Sequence, residues 1–182
     1  MIKILIEHGA KDPYGIGLAE AVKNRDESMV HLLIDHEFRN PQNHALIEAV
    51  KNKDIAMVTL LIDHGCTDSF GMTLAEAVKN KYEAISHLLI AHGAKDPIGI
   101  ALTEAVKNAD EVMIKLLLDH GAQDPHGSAL KTATENKNEL IIKLLLAHGI
   151  KNPLCEVLNE AIHNKQENII EDLRKASPSE CH

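Results

Sequence analysis

Apolar residues along the chain fall into two stripes that return every 28 residues. In the first, Leu18, Ala21 and Val22 recur as Leu46, Ala49 and Val50, then as Leu74, Ala77 and Val78, then as Leu102, Ala105 and Val106. With position 14 the spacing is i, i+4, i+7, i+8, which predicts an amphipathic helix ending at the recurrent Asn24. In the second, Met29, Val30, Leu32, Leu33 and Ile34 predict another helix with a wider apolar face. Asp26, Asp54 and Asp110 stand where its N-cap belongs. A recurrent His followed by Gly65, Gly93, Gly121 or Gly149 closes it, Gly being the natural residue just past a helix end.

The period is visible in whole strings as well. Glu-Ala-Val-Lys-Asn occurs at Glu20–Asn24, Glu48–Asn52, Glu76–Asn80 and Glu104–Asn108, and no insertion breaks the register. Asp or Asn stands at 12, 40, 68, 96, 124 and 152, followed by Pro in every case but Ser69. Such a pair is an N-cap with the first helical residue, or the start of a type I turn with the helix two or three residues later. Neither helix buries its stripe alone, so neighbouring hairpins must stack. The fold class expected is all-α, an αα-hairpin solenoid. One array spans residues 1–176, with a partial first unit at 1–11 and units starting near 12, 40, 68, 96, 124 and 152. Residues 177–182 read as a disordered tail.

Composition narrows the function. Of 182 residues 45% are hydrophobic but only 2% aromatic, so the core is aliphatic. A net charge of −8 disfavours nucleic acid and anionic membranes as partners. No apolar run approaches the roughly 18 residues of a membrane span, and the N-terminus lacks a signal-peptide pattern. Cys66, Cys155 and Cys181 are far apart and form no CxxC, which fits a reducing, cytoplasmic compartment.

Leu102-Thr103-Glu104-Ala105-Val106-Lys107-Asn108 followed by Met113-Ile114-Lys115-Leu116-Leu117-Leu118-Asp119-His120-Gly121-Ala122 resembles the ankyrin repeat. The resemblance lies in Leu-x-x-Ala of the first helix, Ile/Val-x-x-Leu-Leu of the second and the Gly-Ala after it. Three departures stand out. The units are five residues shorter than the usual 33, where the family carries its β-hairpin finger, so short fingers or none are expected. The family's Thr-Pro-Leu-His start keeps only its Leu. Its inter-helix Gly is replaced by Arg25, Lys53, Lys81, Ala109, Lys137 and Lys165.

The resemblance implies a non-enzymatic scaffold that binds a protein or peptide along a concave face lined by the first helices. No cofactor is implied, and no metal. Proteins rich in such arrays also include effectors that intracellular bacteria deliver into host cells. The alternative reading is a fragment of a longer array, or a self-associating spacer. Met1 stands in mid-unit, leaving Ile2 and Leu5 of the first helix without a covering neighbour, whereas Asp172 and Arg174 replace apolar residues and read as a C-terminal cap.

Four ladders are candidates for chemistry. His8, His36, His64, His92, His120 and His148 fall one per unit. Stacked helices lie roughly 8–10 Å apart, too far to share a metal that needs ligand atoms about 2 Å away. These histidines therefore read as partners of the last-turn carbonyls. Glu20, Glu48, Glu76 and Glu104 precede Lys23, Lys51, Lys79 and Lys107 by three residues, which gives ion pairs along one helix face. That is a solvated face or a striped groove for a charged peptide, and it breaks near Lys131, Thr132 and Glu135. Tyr14, Phe70 and Ile98 share one position, as inter-unit packing or as interface anchors. Positions 16 and 19 vary most, with Ile16, His44, Met72 and Ile100 at the first and Ala19, Ile47, Ala75 and Thr103 at the second. The candidate partner-binding residues are accordingly Tyr14, Ile16, Glu20, Lys23, His44, Ile47, Glu48, Phe70, Met72, Glu76, Ile98, Ile100, Glu104, Lys131 and Glu135. No Walker A loop, GxGxxG, GxSxG or zincin motif is present.

Overall fold

In each repeat the two apolar stripes close into two short helices that pack against each other, giving an αα-hairpin repeat fold. The computed structural model describes residues 15–36, 43–150, 154–163 and 167–176. Among these there are twelve helices and no strand. The chain forms two compact units, Met1–Ala94 and Lys95–His182.

The first unit contains α1 (Ile16–Lys23), α2 (Glu27–Asp35), α3 (His44–Lys51), α4 (Ile55–Asp63), α5 (Met72–Lys79) and α6 (Glu83–Ala91). Its first helices α1, α3 and α5 pack in succession, and α4 packs on α6 behind them. The second unit contains α7 (Ile100–Lys107), α8 (Glu111–Asp119), α9 (Ser128–Glu135), α10 (Glu139–Ala147), α11 (Leu154–His163) and α12 (Glu167–Ala176). There α7, α9 and α11 pack in succession, and α10 packs on α12. The expected loss of the finger is seen between α4 and α5 and between α8 and α9, where residues 64–71 and 120–127 turn without forming a strand. The aliphatic stripes are the core: Leu18, Leu46, Leu74, Leu102 and Leu130 are all fully buried. Each contributes about 1.5–3 kcal/mol by leaving water.

The second helices open as expected. The Asp26, Asp54 and Asp110 carboxylates accept the N–H groups of Met29, Met57 and Met113 at 3.0, 2.9 and 3.0 Å. Asn138 does the same for Ile141 at 3.1 Å.

The first helices open by the turn route instead. Met72, Ile100 and Ser128 begin their helices four residues after Asp68, Asp96 and Asp124. Gly71, Gly99 and Gly127, with φ of 77°, 75° and 67°, make the left-handed step between. The aspartates still cap, but across the turn. Asp68 Oδ2 accepts from Leu74 N at 2.7 Å and Asp96 Oδ2 from Leu102 N at 2.7 Å. Asp124 Oδ2 accepts from Ala129 N and Leu130 N at 3.0 and 3.2 Å. These bonds satisfy N–H groups that the helix itself leaves orphaned.

Both helices of a repeat end in the same two-bond motif. After α4, Gly65 N–H donates to Ile62 O at 2.8 Å and Cys66 N–H to Leu61 O at 3.0 Å. After α1, Arg25 N–H donates to Val22 O and Asp26 N–H to Ala21 O, both at 2.9 Å. The motif needs a left-handed residue. Gly supplies it after the second helices, but after the first helices Arg25, Lys53, Lys81, Ala109 and Lys137 adopt φ of 53–58°. The missing inter-helix Gly thus leaves local backbone strain rather than a different turn.

Candidate partner-binding face

With Leu18, Ala21 and Val22 turned inward on α1, residues 16, 20 and 23 point away from the core. The same holds in the later repeats. Ile16 and Met72 are 62% and 52% exposed, Ile100 is exposed, and His44 stands in the open as well. Phe70 and Ile98 are also exposed, at 62% and 39%, so the position they share is not filled by packing between repeats. An αL residue precedes α1, α3, α5, α7 and α9, and ahead of α5, α7 and α9 a buried aspartate also caps the helix start, so the turn fixes where these side chains leave the frame. Tyr14 lies outside the described residues.

The charged ladder forms ion pairs within α1, α3 and α7. Lys23 Nζ lies 3.2 Å from Glu20 Oε2, Lys51 Nζ 2.7 Å from Glu48 Oε1 and Lys107 Nζ 2.7 Å from Glu104 Oε1. Asn24 Nδ2 adds a bond to Glu20 Oε1 at 3.2 Å. The Lys23 bond, and then that of Asn24, hold the Glu20 carboxyl below its usual range. Glu76 accepts from Asn80 Nδ2 at 2.9 Å. On α9 the order is inverted: Lys131 precedes Glu135, and the two approach only to 3.9 Å.

One hollow gathers several of these residues. Between α1 and α3 lies a groove of about 300 Å³. From α1 it takes Ile16, Ala19, Glu20 and Lys23. From α3 it takes His44, Ile47, Glu48 and Lys51. The apolar residues and His44 line one end and the Glu–Lys pairs the other. The side chain of Ala19 is the smallest of the eight.

The second unit carries Ile98, Ile100 and Glu104 on and before α7, and Lys131 and Glu135 on α9, all at the same register positions. Three features escaped the sequence. Val112 and Leu140, at one register position of α8 and α10, are 78% and 66% exposed. The matching residues Ser28, Ala56 and Ala84 gave no sign of an apolar patch. Asp68 and Asp124 are buried, and burial pushes both carboxyls up, against the pull of the backbone N–H groups they accept. Asn43 donates to Asp68 Oδ1 at 3.3 Å, a bond from one repeat to the next.

The histidine ladder is structural in its contacts. Nδ1 of His36, His64 and His92 lies 2.8 Å from the carbonyl four residues back, and Nδ1 of His120 and His148 lies 2.9 Å from theirs. A carbonyl only accepts, so each Nδ1 carries the proton. Among the described residues no three His, Cys, Asp or Glu side chains converge as metal ligands would. No described helix is long and apolar enough to cross a membrane.

The family described as ankyrin repeats (three copies) matches residues 18–98 and 74–156. Among solved structures, the crystal structure of an ankyrin repeat protein aligns with a TM-score of 0.57 at 22% identity, covering 90% of this chain and 98% of that one. At that identity the likeness concerns the fold. No curated protein matches the sequence.

Proposed function

The chain belongs to the ankyrin repeat family, and on that premise we propose that it is a non-enzymatic module holding a protein or peptide against the concave face formed by its first helices. Ankyrin repeats generally are protein–protein interaction modules and generally non-enzymatic. The observation that carries the assignment to this face is its mixture of exposed large apolar side chains with paired charges. Ile16, Ile98 and Ile100 are exposed on or just before helices that carry a Glu–Lys pair, and Phe70 and Met72 are exposed at the same positions of the α5 repeat, where Glu76 accepts from Asn80. Buried leucines fix the backbone that carries them, so binding orders their side chains but not the frame. Exposed aromatic and large aliphatic residues are the usual anchors of an interface.

The test uses affinity co-purification of the full chain beside a Phe70→Ala, Met72→Ala variant. Both side chains are more than half exposed, so the fold should survive, as thermal unfolding will verify. Loss of the co-purifying protein is expected. Unchanged recovery, with loss instead on Val112→Ser, Leu140→Ser, would move the interface to the second helices.

A further inference from the structure

We infer that the groove between α1 and α3 binds an extended peptide segment in which a large apolar side chain lies two residues from an arginine. The inference rests on the first-helix reading above and specifies its partner. Size comes first. About 300 Å³ lies at the small end of ligand pockets, which run about 300–1,000 Å³, and suits one large side chain and its neighbour. The few residues that such a groove holds are too short a segment for a helix of their own, since isolated helices under about 12–15 residues are marginal in water, so the ligand segment is extended.

Polarity then sets the order of the ligand's groups. The apolar end, at Ile16, Ala19 and Ile47, takes the apolar side chain. The charged end offers Glu20 and Glu48, each already engaged by a lysine of its own helix at 3.2 and 2.7 Å. Such exposed pairs are worth only about 0–1 kcal/mol, so a guanidinium that binds a carboxylate with two parallel bonds can displace the lysine. The net charge of −8 favours the approach of a cationic segment over an acidic one.

Spacing completes the match. Ile16 and Glu20, like His44 and Glu48, are four residues apart on a helix rising about 1.5 Å per residue, hence about 6 Å. In an extended strand, residues i and i+2 share a face and lie about 6.6 Å apart.

The full ¹⁵N-labelled chain is titrated by NMR with Gly/Ser-flanked peptides containing Leu-Ser-Arg, Leu-Ser-citrulline, Leu-Ser-Glu or Gly-Ser-Arg. The Leu-Ser-Arg peptide should bind at least about tenfold tighter than the other three, with shifts centred on Ala19 and Ile47. In a Glu20→Gln, Glu48→Gln variant the advantage over citrulline should disappear. Ala19→Thr, which installs the residue of the equivalent Thr103 and so suits the repeat, should weaken the Leu-containing peptides at least about threefold. Equal affinities for arginine and citrulline, preference for the acidic peptide, an arginine advantage that survives in the double variant, or no localised shift with any peptide each overturn the inference. In that event, a partner still lost on Phe70→Ala, Met72→Ala leaves the broader reading standing, whereas retention of the partner removes both.

Discussion

Ala109 and Gly121 stand at the same step of the same motif within one repeat, with φ of 53° and 82°. Exchanging their identities should therefore change stability in opposite directions. An L-residue in the left-handed region costs roughly 1–2 kcal/mol, and Gly loses roughly 0.5–1 kcal/mol more entropy than Ala on folding. Ala109→Gly should then stabilise the second unit by about 0.5–1 kcal/mol, and Gly121→Ala should destabilise it by a similar amount. Sterics do not blur the comparison, because a Cβ on Gly121 would meet nothing within 4 Å. For a chain of this size about 1 kcal/mol moves the midpoint by roughly 2–4 °C. Urea and thermal unfolding followed by circular dichroism at 222 nm read both variants against the parent. Lys137→Gly, at φ 55° in the next repeat, should add to Ala109→Gly. A neutral or destabilising Ala109→Gly beside a destabilising Gly121→Ala would refute the assignment of strain to the inter-helix turn.

Other substitutions test the caps and the core. Gly99→Ala should cost more than Gly121→Ala, over about 2 kcal/mol, because its Cβ would stand 2.6 Å from Gln123 O as well as at φ +75°; equal unfolding midpoints for the two would contradict this. Thr73 is fully buried and its Oγ1 has no hydrogen-bond partner, so Thr73→Val should raise stability by about 1–2 kcal/mol in urea unfolding. Burial holds the Asp68 carboxyl above its unfolded value. Its favourable contribution is thus complete below the unfolded pKa and is lost as pH rises through the folded one. Asp68→Asn keeps an acceptor for Leu74 N, so its stability relative to the parent should improve as pH rises through and above the usual carboxylate range. Parallel stability–pH curves would dismiss that account.

Several parts of the fold were legible because they depend on residues close in sequence. The N-caps at Asp26, Asp54 and Asp110, the buried Leu-x-x-Ala-Val stripe and the lost finger are set within one repeat of 28 residues. The start of the first helix stayed ambiguous because Asp-Pro-x-Gly serves both an N-cap and a turn. What decides is that Asp68 reaches Leu74 N six residues on, which depends on the left-handed Gly71 between them. The exposure of Phe70 was likewise hidden, since an apolar residue at a helix start packs or projects according to the turn before it. The α1–α3 groove depends on Ala19 lying beside Ile47, a pairing across the repeat period. Variation at position 19 was its only trace in the sequence.

A strictly repeated face offers a partner several equivalent registers, so the Glu–Lys ladder alone cannot fix where it binds. Departures from the repeat can. Ala19 opens a space against Ile47, and neither the Thr103 of α7 nor the Lys131 of α9 repeats that combination. Thr103→Ala alone should not build a second groove. Lys131 would still stand where Ile47 does in α3, adding a cation and removing the apolar wall. Moving the site to the second unit should need Thr103→Ala together with Lys131→Ile and Thr132→Glu, because α9 lacks the carboxylate that Glu48 gives α3. With Ala19→Thr also in place, NMR shifts caused by the Leu-Ser-Arg peptide should move from Ala19 and Ile47 to residues 103 and 131. Shifts that stay in the first unit would show that Ala19 does not set the register.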